Sequence, residues 1–268
     1  MYIISARKDF SHPDDIAPNG EHTIYDINLS NDSHNGQKVP LSNLSATVSG
    51  KKVLILVHGY NNEPYEAYDA YELLEKELTT KGGNHYDFIL GYSWPGCDNP
   101  AEWYKAKRRA DSAARMFRRL LTTLEPQTAS IDVLSHSLGA RVTLKALKGA
   151  QKPLIRNYFS TAPAVDNECL ETGEEFYTST LRCQHLHVFH SFRDGVLNVA
   201  YRTAEFDTAL GLCGPEDRSY VLRKKNIYVV NCKKVVSSHG GYKHAKAFYR
   251  YLNDYTLKQP AQKFRTLS

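Results

Sequence analysis

The sequence of 268 residues has no apolar run longer than five residues, the stretch Val53–Val57. A membrane helix needs roughly 18–20, so none is expected. There is no C-x-x-C pair either. Five cysteines (Cys97, Cys169, Cys183, Cys213 and Cys232) are scattered along the chain. An odd count with wide spacing suits free thiols in a reducing compartment, and a cytoplasmic location is expected. The amino terminus lacks the long apolar core of a signal peptide, and its basic residues follow the apolar stretch instead of preceding it. Metal and nucleotide signatures are missing: no H-E-x-x-H, no Walker loop, no G-x-G-x-x-G after a strand, no zinc-spaced Cys–His cluster. No cofactor and no metal are expected.

Hydrophobic residues make up 41% and charged residues 24%. This is ordinary globular usage and excludes a disordered or collagen-like chain. The length allows one large domain or two small ones. The net charge of +5 is mild. Many soluble enzymes carry as much, so no nucleic-acid partner is expected.

Residues 1–50 are polar, with β-like pieces at Tyr2–Ala6 and His22–Leu29. They read as strands and an irregular segment packed on a core formed by residues 51–268, one domain overall. From Lys51 the texture changes. Lys52–Val57 is a continuous apolar run, as expected of a strand covered on both faces. Tyr86–Ser93, Ser130–Leu134, Asn157–Thr161, Leu186–Phe192 and Asn226–Val236 are the further strand candidates. Helical spacing marks Tyr65–Leu78, Glu102–Leu124, a stretch through Lys148, and His244–Tyr255, with weaker helical leanings at Leu170–Leu181. In Glu102–Leu124 the alanines and leucines share one arc, and Lys105, Arg108, Arg109, Arg115, Arg118 and Arg119 share the other. A solvated face is the expectation for the arginines. Alternating strands and helices predict an α/β fold: a mostly parallel, doubly wound sheet with helices on both faces. Ligands of such sheets bind at the carboxyl ends of the strands.

Ser135-His136-Ser137-Leu138-Gly139 follows one strand and opens a helix. A nucleophilic serine must project into a cleft beside a base. A tight strand-to-helix turn with small residues on either side provides the projection, as in the G-x-S-x-G elbow. Ser135 replaces the first glycine here and is small enough to fit. His58-Gly59-Tyr60-Asn61-Asn62 follows the Lys52–Val57 strand. Backbone N–H groups of Tyr60 and Leu138 are the expected donors to a developing oxyanion. A base and its orienting acid belong after later strands. His239, beside Gly240-Gly241, is the expected base, with His244 as the alternative. Asp194, before Gly195, is the expected acid, with Asp166 as the alternative. The order Ser137, Asp194, His239 is that of the α/β-hydrolases.

The chain resembles an α/β-hydrolase. More narrowly, it is similar to a group of bacterial α/β-hydrolase-fold proteins of largely uncharacterised function. The matching pieces are LILVHGYNN (54–62), YSWPG (92–96), ADSAARMFRRLL (110–121), VLSHSLGARV (133–142), STAPAVD (160–166) and SSHGGY (237–242). The resemblance implies a triad of Ser137, Asp194 and His239. It also places the Trp94 loop over the active site; His58 and Trp94 are expected pocket residues, with anchoring of the Glu102–Leu124 helix as the equal alternative for Trp94. The insert 167–183 lies where such folds often carry a lid and holds Glu168, Glu171, Glu174 and Glu175. The activity expected is cleavage of a small-molecule carboxylic ester or lipid through an acyl-enzyme. The alternative is a protein that keeps the fold for binding or scaffolding without catalysis. Oligomeric state is not legible.

Overall fold

The computed structural model describes residues 1–9, 12–28, 36–60, 62–96 and 99–268. Three strands open the chain: β1 (Tyr2–Ser5), β2 (Thr23–Ile27) and β3 (Gly36–Val39). Helix α1 (Leu41–Thr47) leads into β4 (Lys52–Val57), α2 (Pro64–Thr80), β5 (Phe88–Ser93) and α3 (Trp103–Leu124). Then come β6 (Ser130–His136), α4 (Gly139–Lys148), β7 (Ile155–Thr161) and β8 (Cys183–His190). Three short helices, α5 (Arg202–Glu205), α6 (Leu210–Cys213) and α7 (Arg218–Arg223), precede β9 (Ile227–Asn231), α8 (Lys246–Tyr255) and β10 (Phe264–Thr266).

All ten strands form one sheet in the order β10-β9-β8-β7-β6-β4-β5-β1-β2-β3. Only β2 runs against the rest. Val53–Val57 is buried throughout, as its unbroken apolar run requires. After β5 the chain crosses to the other side of β4 to lay down β6. The loops following β4 and β6 therefore meet at the reversal of strand order, where such sheets form their crevice. Helix α3 buries Ala106, Ala110, Ala113, Ala114, Phe117, Leu120, Leu121 and Leu124 and packs on α4. Helix α2 begins with a capping box, in which the Glu63 N–H donates to the Glu66 carboxylate at 2.9 Å, and Pro64 occupies its first turn.

The N-terminal strands extend the sheet, with β1 parallel to β5. The segment after β1 reaches the arginine face of α3. Arg109 pairs with Asp14 at 3.6 Å, and Arg119 donates to Gly20 O. That face is thus partly covered. The last long strand ends at Asn231 and not at Val236. The Asn231 side chain accepts the Lys233 N–H at 3.0 Å and turns the chain. The Leu170–Leu181 stretch forms turns and one 3₁₀ helix, Tyr177–Leu181. It packs on α4: Glu175 accepts from Arg141 and Lys145, each at 3.0 Å, and Ser179 Oγ donates to Leu144 O at 2.7 Å. No helix is long and apolar enough to cross a membrane among the described residues. Cys169, Cys183, Cys213 and Cys232 are free; Cys97 lies outside the described residues.

Candidate active site

Strand β6 ends at His136, and the next residue, Ser137, has φ +55°. A left-handed backbone is uncommon for a residue with a side chain, and such strain concentrates at functional turns. The turn is held from below. The Ser137 N–H donates to Thr161 O at 3.0 Å, and Thr161 Oγ1 donates to Ser135 O at 2.9 Å. Ser135 fits where an elbow has glycine: it is buried and its hydroxyl lies 2.7 Å from that of Tyr158. Gly139 is dictated by packing, since a Cβ there would stand 2.4 Å from His58 O. Gly59 approaches from the β4 loop, and a Cβ on it would stand 2.8 Å from the Ser137 Cβ. The Leu138 N–H, at the start of α4, has no acceptor among the described residues.

Strand β8 delivers Asp194 and β9 delivers His239. The His239 Nδ1 and Asp194 Oδ2 are 2.7 Å apart. Asp194 is fully buried, and its other oxygen accepts the Leu197 N–H at 3.0 Å. A helical turn follows Asp194 and contains a π-helical stretch at Leu197–Tyr201. His239 also packs on His136, with ring centroids 4.6 Å apart. The alternatives are placed elsewhere. Asp166 accepts from the Tyr201 hydroxyl at 2.6 Å, and His244 is exposed at the end of the 3₁₀ turn Gly241–His244. The Ser137 hydroxyl donates to no described side chain, and no hydrogen bond joins it to His239 among the described residues.

A cavity of about 210 Å³ opens between the sheet, α2 and the start of α8. Leu56, Val57, Leu74, Leu134 and Phe248 form its apolar walls, and His58, Gly59, His136 and His239 also line it; Ser137 is not among the lining residues. His58 lines it. Trp94 does not, and this corrects the expectation that it forms a pocket wall. Its indole N–H needs an acceptor and finds His58 O at 2.8 Å, and its ring stacks on the His58 imidazole at 5.5 Å. The 167–183 insert contributes no residue to this cavity among those described. Tyr60 instead meets the edge of Trp103, and its hydroxyl donates to Asn99 O at 2.5 Å. Asn61 lies outside the described residues.

Burial depresses two of the histidines. His58 is pushed down to about 3, first by loss of water and then by the charge of Arg7. His136 is pushed down to about 3 by burial and then by repulsion from His239. Both are neutral at physiological pH. His136 Nε2–H donates to His239 O at 2.9 Å, a contact that the sequence reading did not include. It joins the residue before Ser137 to the loop that carries His239. Among the described residues no three His, Cys, Asp or Glu side chains cluster to hold a metal ion.

Residues 36–252 match the family described as "Alpha/beta hydrolase of unknown function (DUF900)". No curated protein matches. Among solved structures, the gene lin2722 product of Listeria innocua is similar at a TM-score of 0.50 and 9% identity, over 81% of this chain and 99% of that one. An acylaminoacyl peptidase from Pyrococcus horikoshii is 12% identical at a TM-score of 0.31, over 81% of this chain and 32% of that one. The first of these likenesses shows the fold alone. With most of its length spanned by the family's pattern, the chain belongs to this α/β-hydrolase family of unknown function.

Proposed function

We propose that the protein is a serine hydrolase that cleaves carboxylic esters with short acyl groups. The observation that carries this reading is the 2.7 Å contact between His239 Nδ1 and the buried Asp194. Such a contact fixes the proton on Nδ1 and leaves Nε2 free to act as a base. The strained Ser137 stands at the same sheet end, next to His136 on which the His239 ring packs.

In this mechanism Ser137 Oγ attacks the ester carbonyl while its proton passes to His239 Nε2. The carbonyl oxygen becomes an oxyanion held by the N–H groups of Leu138 and Tyr60. The C–O bond to the alcohol breaks, and His239 returns the proton to the leaving oxygen. Water then attacks the acyl-enzyme, giving its proton to His239, and the carboxylic acid leaves as Ser137 regains its hydrogen. Pockets for drug-sized ligands run to roughly 300–1,000 Å³, so a cavity of about 210 Å³ suits a short acyl chain better than that of a long lipid.

A fluorophosphonate probe should label the wild type and spare Ser137→Ala, and the wild type should hydrolyse p-nitrophenyl acetate. Equal labelling of both proteins would overturn the reading. One observation favours a second reading, a binding protein without catalysis: the Ser137 hydroxyl is not engaged by His239. Catalytic hydrogen bonds often tighten only when substrate is present, so esterase assays separate the two. No turnover of activated esters of any chain length would select the second.

A further inference from the structure

Arg7 follows β1 and lies outside the residues matched to the family. It is buried, and no carboxylate pairs with it among the described residues. Its donors go to neutral acceptors. Nε donates to Ser93 Oγ at 2.9 Å and one terminal nitrogen to Pro13 O at 3.0 Å. The other terminal nitrogen donates to Asn62 O at 3.0 Å and lies 3.4 Å from His58 Nε2. Taking a cation out of water without a directly paired counter-ion is costly; burial lowers this guanidinium's pKa, and the more distant charges of Asp14 and Glu63 offset that only in part. Two of its four contacts fall on the His58–Asn62 loop.

We propose that Arg7 is a positioning residue that fixes this loop so that the Tyr60 N–H is held toward the oxyanion. The inference rests on the esterase reading above.

His58 Nε2 accepts the Trp94 N–H at 3.1 Å as well as facing Arg7. A ring nitrogen that faces two donors carries no proton, so in the neutral ring the proton is on Nδ1. That Nδ1–H donates to Gly59 O at 2.9 Å. The Gly59–Tyr60 peptide is trans, and a trans peptide points its C=O and N–H in opposite directions. Holding the Gly59 carbonyl toward His58 therefore holds the Tyr60 N–H away from it. On the far side, Asn62 Nδ2 donates to Tyr60 O at 2.8 Å while Asn62 O is gripped by Arg7. Arg7 thus anchors both ends of the peptides that carry the donor. Its charge also stands one imidazole away from Gly59, which packs against Ser137, so its field favours negative charge developing there.

The test compares the full-length wild type with Arg7→Met and Arg7→Lys. Active sites are counted with the fluorophosphonate, so that kcat is expressed per labelled site. With p-nitrophenyl acetate, Arg7→Met should lose roughly 10- to 100-fold in kcat, less than the roughly 100- to 1,000-fold cost of deleting one oxyanion donor outright, with KM within about twofold. Phenylboronic acid, whose adduct with Ser137 is tetrahedral and anionic, should bind Arg7→Met more weakly by the same factor. Arg7→Lys should recover part of both losses. A folded Arg7→Met with wild-type kcat and boronate affinity would overturn the proposal. If Arg7→Met does not fold, nitrogen-15 NMR of the wild-type histidines decides. His58 should keep its proton on Nδ1 from pH 8 to pH 5. A proton on Nε2, or titration near the ordinary histidine value, would refute the positioning. Absence of wild-type hydrolysis and labelling would sink the esterase reading instead, and the NMR result would stand apart from it.

Discussion

His136 donates a hydrogen bond from Nε2 to the backbone carbonyl of His239, 103 residues later in the chain, at 2.9 Å. The residue that precedes the candidate nucleophile thus holds the loop that bears the candidate base. His136→Leu removes the donor and leaves a shape of similar breadth. The expected loss is about 1 kcal/mol of stability. Activity should suffer more, by roughly 10- to 100-fold in kcat, because catalysis is sensitive to shifts of about 1 Å in its groups. His136→Gln, which can offer an N–H in the same region, should recover part of it. Ester hydrolysis and urea unfolding of the three proteins check this. Unchanged kcat in His136→Leu would show that the loop is held by other contacts.

How far the site could be read from sequence depends on how local each signal is. The elbow around Ser137 is a five-residue pattern between an apolar run and an amphipathic helix, and Gly59 and Gly139 are local marks of close backbone approach. Asp194 and His239 were legible only as positions after strands, with glycine beside each. Asp166 was the alternative on that ground, and its carboxylate accepts from Tyr201. Arg7 gave no signal at all. Its meaning comes from His58, 51 residues on, and no spacing rule reaches across that distance. Strands β3 and β10 were missed because edge strands of three or four mostly polar residues have no hydrophobic period to detect. Trp94 was misplaced since an aromatic after a strand reads equally as a pocket wall or an anchor, and only its contacts decide.

The left-handed backbone at Ser137 should be visible in stability. Alanine in place of Ser137 keeps the unfavourable conformation and glycine relieves it, partly offset by glycine's greater freedom in the unfolded chain. Ser137→Gly should therefore be more stable than Ser137→Ala by about 1 kcal/mol, while both resist fluorophosphonate labelling. Chemical denaturation of the pair measures it. Equal stability would mean that the turn relaxes in one of them.

Leu74 lies on α2 and is partly exposed where it lines the cavity. Leu74→Ala should enlarge the cavity at a cost of about 1 kcal/mol, below the usual range for a fully buried leucine. Across p-nitrophenyl acetate, butyrate, hexanoate and octanoate, the wild type should fall in kcat/KM beyond butyrate. The variant should shift its optimum toward longer chains. An identical profile in both proteins would place the acyl group elsewhere.

Acid should unfold the protein because several histidines are buried in the neutral form. Burial pushes His58, His136 and His187 each down to about 3. In the unfolded chain the same rings protonate near 6.5. Between those values the unfolded state binds more protons than the folded one, so stability rises with pH. The stabilisation is complete above about 6.5 and is lost as pH falls toward 3, by about 1 kcal/mol per pH unit for each ring. At that rate three such rings remove about 8 kcal/mol between pH 6.5 and pH 4, within the 5–15 kcal/mol of a typical domain, so acid unfolding is expected near pH 4. His187 is the ring to test, because it lies away from Ser137. It stands between β8 and α8, with Nδ1 2.9 Å from the Tyr251 hydroxyl and its ring stacked on Tyr228. His185 and Lys263 add repulsion against its protonation. His187→Phe keeps the flat shape and removes the titration. Its urea midpoint should therefore fall less steeply than the wild type's between pH 6.5 and pH 5, whatever its stability at pH 7.5. Parallel slopes would mean that His187 takes up its proton without unfolding.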